Sequence, residues 1–332
     1  MQVSWAVVFP RLCGDIERAM ERPLIAIVGT GAVGAYYGGR LAQHGHDVHF
    51  LLRGDYAQVK RRGWTVTSCD GDFTLAPDAI HVYDDAAKMP RADLVIVTLK
   101  TTANDQLRPL VAPLLKDDTL ILTLQNGLGN EEQLAELFGP QRVLGGMAFV
   151  CINRLEPGLV HHMAQGTITV GDFAGVTQER AQRIAEMFQA SRIPCRVLDD
   201  LRRGRWEKLV WNIPFNGLSA VLDQTTDLLL ATAHGEALIC SLMAEVIAAA
   251  RAVGAELPDS LIDQKIEQTH VMGAYKTSMH LDMQAGRAME VEAIFGNPVR
   301  AARQAGVRVP NLEMLYRLLQ LRDADRCRRA PV

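Results

Sequence analysis

A glycine-rich stretch directly after a short apolar run constrains the fold more than any other feature of the sequence. The apolar run Leu24–Val28 is typical of a buried parallel strand. Residues 29–34 then follow the pattern G-x-G-x-x-G. Residues 32–44 have helical periodicity, and residues 47–52 form a second apolar run. A strand, glycine turn, helix and second strand in this order predict one βαβ unit of a parallel sheet.

This context makes the glycine stretch a predicted dinucleotide-binding loop. In such a loop the first glycine makes a tight turn, the second lets the backbone approach a pyrophosphate, and the third lets the helix pack on the strand. The start of the helix offers free N–H groups and the positive end of its dipole to the phosphates. The predicted cofactor contacts in the loop are Gly29, Thr30, Gly31, Ala32, Val33 and Gly34.

The end of the second predicted strand indicates which dinucleotide binds. An NAD-binding protein usually places Asp or Glu there, about 20 residues after the loop, to bond the ribose 2′-hydroxyl. This sequence has Leu51-Leu52-Arg53 instead. A carboxylate would repel a 2′-phosphate, whereas a guanidinium binds one well. Arg53 therefore predicts NADPH rather than NADH, and a solvated surface arginine is the alternative.

The remaining pattern divides the chain into two parts. Apolar runs at 92–99 and 119–124 predict further buried strands, and residues 143–197 predict short strands around a helix at 178–191. From Arg202 onward the periodicity is helical, and one of the predicted helices spans 291–304. We therefore predict an α/β fold, in which a Rossmann-type domain with a mainly parallel sheet is followed by an all-α C-terminal domain. The predicted bounds are 1–22 for an N-terminal extension, 23–198 for the dinucleotide-binding domain, and 199–332 for the helical substrate and catalytic domain.

Composition excludes several other classes of protein. A net charge of −3 over 332 residues argues against a nucleic-acid partner. No charge-free apolar stretch of about 18 residues occurs, so we expect no membrane span. The start of the chain lacks the pattern of a signal peptide, and the six cysteines contain no C-x-x-C pair, which predicts free thiols in the cytoplasm. His161-His162 has no metal-ligand spacing around it, so no metal site is predicted.

A polar stripe is the main candidate site in the second half of the chain. Lys208, Asn212 and Asn216 follow one another at intervals of four, which places them on one face of a helix. The residues between them are mostly apolar, so the stripe is predicted to face a polar group; a solvated helix face is the alternative. Pro214 usually kinks a helix, and we therefore expect Asn216 to deviate most from this face.

At this point the sequence resembles the ketopantoate reductase (2-dehydropantoate 2-reductase) family, from about Leu24 to Leu319. The order and spacing of several short motifs carry the resemblance. They are the loop at 29–34, Leu52-Arg53, Val97-Thr-Leu-Lys100, Gln125-Asn-Gly127, Trp206-Glu-Lys-Leu-Val-Trp-Asn212 with Asn216, Thr277-Ser-Met279, and Glu290 before Ile294-Phe-Gly-Asn297.

The resemblance implies NADPH-dependent reduction of ketopantoate to pantoate, on the route to pantothenate and coenzyme A. It also implies a C-terminal domain like that of 6-phosphogluconate dehydrogenase. Lys208 matches the catalytic lysine and Glu290 the active-site glutamate. The remaining matches are the substrate-binding positions Asn212, Asn216 and Ser278, the cofactor contacts Arg53 and Lys100, and Asn126 beside nicotinamide and substrate. A lysine can donate the proton that ketone reduction needs and stabilise the developing alkoxide.

Two alternatives remain open at this level. The chain could be a member of the family that reduces another branched or hydroxylated 2-oxo acid, because pocket residues scattered along the sequence decide substrate specificity. A sensor could bind NADPH without turnover, although a pure binder needs no proton donor such as Lys208. We further expect the active site between the strand ends and the helical domain, closure of the domains on cofactor binding, and a homodimer through the helical domain.

Overall fold

The computed structural model describes residues 23–175 and 178–329, so the predicted N-terminal extension lies outside the described residues. The chain forms two compact units. The sheet unit comprises the described residues up to Leu99 together with those of Asp105–Leu124 and Leu134–Val197. The helical unit comprises Lys100–Asn104, Gln125–Gln133 and the described residues from Leu198 onward. A single boundary near residue 198 was predicted; two loop segments from earlier in the chain also group with the helical unit.

The sheet unit is built on one mixed sheet of ten strands within the described residues. Their spatial order is β4-β3-β9-β8-β7-β6-β1-β2-β5, and β10 pairs with β9. The strands are β1 (Leu24–Val28), β2 (Asp47–Leu51), β3 (Trp64–Ser68), β4 (Phe73–Leu75), β5 (His81–Tyr83), β6 (Ala92–Val97), β7 (Leu115–Thr123), β8 (Val143–Glu156), β9 (Leu159–Asp172) and β10 (Cys195–Val197).

Strand β1 lies at the centre of the parallel part of the sheet. It pairs in parallel with β2 on one side and with β6 on the other. Four of its five residues are buried, as expected for a strand covered on both faces. The chain leaves β1 toward β2 and later returns on the other side at β6, so the carboxyl end of β1 is a topological switch point. The predicted α/β fold with a mainly parallel sheet is confirmed.

The second half of the sheet differs from the sequence prediction. Short strands were predicted over 143–197, but β8 and β9 are 14 residues each and pair antiparallel along their length. Gly158, with φ of 80°, lies in the turn that joins them. Strand β3 also pairs antiparallel with β4, which the sequence did not predict. Alternating polar and apolar residues mark a strand, but they do not show which strand it pairs with.

Short helices accompany the strands of the sheet unit. They are α1 (Ala32–Gln43), α2 (Tyr56–Arg62), α3 (Leu107–Val111), α4 (Asn130–Phe138) and α5 (Gln178–Ala190). Helix α1 begins within the glycine stretch, after Gly31, and packs Tyr37 and Leu41 into the core of this unit. The predicted helices over 32–44 and 178–191 correspond to α1 and α5.

The helical unit has seven α-helices within the described residues. They are α6 (Leu201–Leu222), α7 (Thr226–Leu230), α8 (Ala233–Ala252), α9 (Leu261–Met272), α10 (Ser278–Gln284), α11 (Asn297–Gln304) and α12 (Pro310–Arg329). A π-helical turn, Glu292–Gly296, precedes α11. The sequence predicted one α-helix over 291–304. A π turn within a helix is rare and is frequently found at functional sites.

Helix α6 is the central element of the helical unit. It begins at a cap in which the Asp200 carboxylate accepts a hydrogen bond of 3.0 Å from the Arg203 N–H. It ends at Asp223, which has a left-handed backbone with φ of 56°. Fourteen of its 22 residues are buried, including Trp206 and Phe215 in the apolar core. Helix α6 is therefore surrounded by protein on most of its circumference.

Helix α8 is the one described helix with the length and hydropathy of a membrane span. Its buried residues include Leu242, Met243 and Val246, which belong to the apolar core around α6. A core helix of this kind passes the same test, so the observation is weak evidence for a membrane span.

Candidate active site

The turn after β1 requires glycine at its first position. Gly29 has φ of 97°, a conformation that other residues rarely adopt. A Cβ atom on Gly29 would lie 2.5 Å from the backbone nitrogen of Leu99. The Thr98 hydroxyl donates a 2.7 Å hydrogen bond to the Gly29 carbonyl and fixes the turn against β6. The first glycine therefore sets the path of the loop.

The other two glycines of the stretch have different surroundings. A Cβ atom on Gly34 would lie 2.6 Å from the Thr98 hydroxyl oxygen and 2.9 Å from the Gly29 carbonyl oxygen. A Cβ atom on Gly31 would meet open space, since the nearest atom is the Gly29 carbonyl oxygen at 4.0 Å. Gly34 thus packs helix on strand, whereas Gly31 leaves room beside the backbone. That room is what a phosphate group needs.

The start of α1 supplies the donors for such a phosphate. The N-cap residue is Gly31, which has no side chain to accept hydrogen bonds from the first turn, and that turn contains no acidic residue. The N–H groups of Ala32, Val33 and Gly34 therefore have no partner within the helix. These donors and the space at Gly31 fit the pyrophosphate of a dinucleotide.

Thr30 and Arg53 lie at the carboxyl end of β2. The Thr30 hydroxyl donates a 2.9 Å hydrogen bond to the Leu51 carbonyl, so this side chain fastens the loop to β2. Arg53 follows β2 at an exposed position. Its guanidinium is therefore accessible to a ligand at the end of the strand.

The polar stripe on α6 is buried rather than solvated. Lys208, Asn212 and Asn216 are 8%, 6% and 3% exposed. Helix α6 continues without interruption through Pro214. The Asn216 side-chain oxygen accepts 3.3 Å hydrogen bonds from the Ser278 hydroxyl and from the Met279 N–H. Asn216 and Ser278 are thus brought together, and the deviation expected from Pro214 does not separate them.

Lys208 has the most perturbed environment of these residues. Its ammonium donates a 2.8 Å hydrogen bond to the side-chain oxygen of Asn126. Burial and, to a lesser extent, the nearby positive charge of Arg205 lower the pKa of Lys208 to about 7, against the opposing effect of the Glu290 carboxylate. A lysine with such a pKa can give up and regain a proton near neutral pH.

Glu290 is a buried carboxylate that lies two residues before the π turn. One of its oxygens accepts hydrogen bonds from the Thr101 N–H at 2.9 Å and from the Thr101 hydroxyl at 3.1 Å. Thr101 belongs to a loop segment that groups with the helical unit. The sequence did not single out Thr101, because its partner lies 189 residues further along the chain.

Lys100 lies beside a carboxylate that the sequence analysis also missed. Its ammonium forms an ion pair with Asp282, whose side chain is 2% exposed. Asp282 also accepts a 2.9 Å hydrogen bond from Arg287. The predicted cofactor contact at Lys100 is thus oriented by a residue of α10.

The loop that carries Asn126 is fastened to the π turn. Gly127 has φ of 87°, and a Cβ atom there would lie 2.3 Å from the Ala293 carbonyl oxygen. The Leu128 N–H donates a 2.9 Å hydrogen bond to the same carbonyl. The Asn297 amide in turn donates to the Leu128 carbonyl. The Gln125-Asn126-Gly127 and Ile294-Phe-Gly-Asn297 motifs are therefore two sides of one contact.

A buried ion pair lies next to this loop. The Arg205 guanidinium binds Glu131, with one hydrogen bond of 2.8 Å, and both side chains are 4% exposed. Arg205 also donates a 2.6 Å hydrogen bond to the Gln125 carbonyl. Neither residue was a sequence-predicted site residue. The only signal in the sequence was that Arg205 precedes Lys208 by three residues, close to one helical turn.

His162, for which no metal role was predicted, lies near Cys69 and Asp70 in the structure. Its Nδ1 is 2.8 Å from the Ser68 hydroxyl, and its Nε2 is 3.1 Å from the Gln165 carbonyl, so both ring nitrogens are hydrogen-bonded. A second such group, in the same sheet unit, contains Asp47, His49 and His81. The absence of a metal site stays a prediction.

Among the predicted residues, the helical unit brings together Lys208, Asn126 and Glu290, and separately Asn216 and Ser278. Asn212 is buried between these groups on α6. The phosphate loop and Arg53 belong to the sheet unit.

A dinucleotide-type phosphate loop and a buried lysine with a lowered pKa fit the class of dinucleotide-dependent oxidoreductases. Two family models match it: "Ketopantoate reductase PanE/ApbA" over residues 25–175, and the C-terminal model of the same name over residues 200–323. The chain belongs to the ketopantoate reductase family.

Individual relatives agree with this assignment. A 2-dehydropantoate 2-reductase from Nostoc sp. is 46% identical over 310 residues, covering 92% of this chain and 96% of the relative. The crystal structure of a 2-dehydropantoate 2-reductase from Geobacter metallireducens is 48% identical, with a TM-score of 0.88, and the match covers 90% of this chain and 99% of that one.

A more distant structure shares the fold. D-mandelate dehydrogenase, solved with NADH and anilino(oxo)acetate, has a TM-score of 0.85 at 22% identity, covering 91% of this chain and 99% of that one. The family and the loop geometry together imply a nicotinamide dinucleotide cofactor.

The two glycines of the loop should respond differently to alanine. Gly34→Ala is expected to cost about 1–3 kcal/mol of unfolding free energy through overpacking. Gly31→Ala should change it by less than about 0.5 kcal/mol, yet weaken dinucleotide binding at least about 10-fold because the methyl group fills the space for phosphate. Urea unfolding and fluorescence titration with NADPH measure the two effects. Native affinity in Gly31→Ala would show that phosphate binds elsewhere.

Proposed function

We propose that this protein reduces ketopantoate to pantoate with NADPH, a step in pantothenate and coenzyme A synthesis. The observation that carries the proposal is Lys208, a buried ammonium bonded to Asn126 with a pKa lowered to about 7. Family membership supports the substrate, since the Nostoc and Geobacter relatives are 2-dehydropantoate 2-reductases.

Lys208 is the proton donor in this proposal. A bound reduced nicotinamide supplies the hydride. Lys208 gives its proton to the substrate carbonyl oxygen and stabilises the negative charge that develops there. Asn126 accepts a hydrogen bond from one N–H of the ammonium, and this bond fixes the orientation of the other two N–H groups. The low-dielectric surroundings strengthen this charge stabilisation.

Three neutral side chains and one carboxylate are proposed to orient the substrate. Before substrate binds, the Ser278 hydroxyl is held by its 3.3 Å hydrogen bond to Asn216, and it then turns its single proton to the 2-oxo acid carboxylate. Asn212 and Glu290 bind the substrate hydroxyl, with Glu290 held in place by Thr101. Holding both ends of a short substrate fixes its carbonyl relative to Lys208.

Selection of NADPH is proposed to rest on Arg53. Its exposed guanidinium at the carboxyl end of β2 can form two hydrogen bonds to a 2′-phosphate. Lys100, oriented by Asp282, is proposed to contact the same cofactor. A cytoplasmic location and a homodimer through the helical domain stay predictions.

Oxidation of NADPH at 340 nm with ketopantoate, beside a panel of other 2-oxo acids and an NADH control, tests the proposal. Turnover with ketopantoate and NADPH well above all other pairs is expected. Faster turnover with a different 2-oxo acid would identify that acid as the substrate and leave the proposed mechanism unchanged. Tight NADPH binding without turnover of any acid would favour the sensor alternative.

Lys208→Ala should lower turnover at least about 100-fold by loss of acid catalysis, while NADPH still binds. In the native enzyme, kcat/KM for reduction should fall as the pH rises through about 7, because only the protonated lysine can donate. Stopped-flow assays across pH measure both effects, with exposed Lys88→Ala as the matched control. Near-native turnover in Lys208→Ala would place the proton donor elsewhere.

Arg53→Ala should weaken binding of NADPH at least about 10-fold, by loss of a charge-assisted contact to phosphate, and leave NADH nearly unaffected. Fluorescence titration with each dinucleotide gives the two affinities. Arg61→Ala, on the exposed face of α2, is the control for a change in surface charge. Equal losses for the two dinucleotides would show that Arg53 does not read the 2′-phosphate.

A further inference from the structure

Arg205 is a buried arginine on the same helix as the proton donor. It precedes Lys208 by three residues on α6, so the two side chains lie on neighbouring positions of one helix face. Burying a second cation beside a lysine is unfavourable unless it is paired. Glu131 provides the pairing, with a 2.8 Å hydrogen bond to the Arg205 Nε. Packing alone does not explain this buried ion pair, because apolar side chains of similar size would fill the same space at no greater cost.

The contacts of Arg205 lead directly to the partner of Lys208. One arm of the guanidinium binds Glu131, and the other donates 2.6 Å to the Gln125 carbonyl. The next residue, Asn126, accepts the 2.8 Å hydrogen bond from Lys208. Glu131 lies in the first turn of α4, directly after the same loop. Arg205 therefore connects both ends of the loop that presents Asn126, while the π turn holds its middle.

The charge of Arg205 also acts on Lys208. Arg205 is the charged residue that lowers the pKa of Lys208 most, after the effect of burial. The carboxylate of Glu290, from the segment before the π turn, opposes it. Glu131 faces Arg205 from the first turn of α4, and the next residue, the exposed Glu132, lies near Arg205 and Arg202. Glu131 thus neutralises the charge of Arg205.

We propose that Arg205 is a positioning residue for the proton donor: it fixes the loop that presents Asn126 and holds a positive charge one helical turn from Lys208. This inference rests on the proposed function of Lys208 as the acid. The two parts of the role are separable by substitution. Lysine at 205 keeps the charge but loses the fork that binds Glu131 and the Gln125 carbonyl together. Methionine removes the charge and the hydrogen bonds.

The pH profile of kcat/KM distinguishes the two parts. In Arg205→Met, loss of a neighbouring positive charge favours the protonated lysine. The alkaline limb of the profile, the pH at which kcat/KM falls, should therefore shift to a higher pH by about half a unit or more. In Arg205→Lys the limb should stay near its native position, while kcat falls about 10-fold because Asn126 is held less well. A residue with only a structural role would lower activity in both variants and leave the limb unmoved, and that result would overturn the proposal.

A second measurement is independent of turnover. The chain contains seven lysines, so the side-chain signals of ¹³C-labelled lysine can be followed by NMR across pH and Lys208 assigned by its loss in Lys208→Ala. The Lys208 midpoint should rise in Arg205→Met and stay in Arg205→Lys. If the native enzyme reduces no 2-oxo acid, the proposed function fails, and the NMR midpoints still test the effect of Arg205.

A second variant at position 205 separates a failure to fold from an effect on Lys208. Arg205→Met alone leaves Glu131 buried without its partner, which is destabilising. The double variant Arg205→Met/Glu131→Gln removes both charges and keeps the side chains similar in size. Circular dichroism and NADPH titration confirm that it is folded, and its Lys208 midpoint is expected above the native one. An unchanged midpoint in this folded variant would overturn the proposal.

Discussion

The burial of one ammonium group, that of Lys208, determines most of the arrangement around it. A lysine that is 8% exposed loses its hydration, and the protein must replace that hydration with oriented groups. Asn126 supplies an acceptor and Glu290 supplies a compensating charge. Each of these is held in turn, Asn126 by a loop bound to the π turn and Glu290 by Thr101. Three separate segments of chain therefore have to fold correctly before the lysine is stable in its site.

Asn126 and Thr101 belong to segments that the first half of the chain contributes to the helical unit. The contacts of Lys208 are consequently internal to one compact unit. The phosphate loop is likewise internal to the sheet unit, where β1, β6 and α1 define it. Each half of the proposed chemistry thus has its own preorganised support: rigid backbone for the proposed phosphate contacts, and a buried side-chain network for the proposed proton donor.

The sequence predicted local features well and long-range pairs poorly. The βαβ unit, the glycine loop and the stripe on α6 all depend on residues within about one helix or strand of each other, where periodicity is informative. The pairs Arg205–Glu131 and Lys100–Asp282 join residues 74 and 182 positions apart, and no spacing rule reports them. The long β8–β9 hairpin was missed for a related reason, since alternation marks strands without naming their partners. Pro214 marks a residue at which a helix usually kinks, and α6 nevertheless continues through it to Leu222 with most of its residues buried.

The π turn at Glu292–Gly296 limits how the length of this segment can change during evolution. A π turn takes up more residues than an α-helical turn of similar rise. It therefore sets the angular offset between Glu290, which acts on the lysine, and Asn297, which holds the loop. Deleting one residue here would rotate one of them relative to the other by about 100°, separating two contacts without altering a single side chain. The length of this segment is thus constrained as tightly as its composition, because an insertion or deletion there would displace either Glu290 from the lysine or Asn297 from the loop.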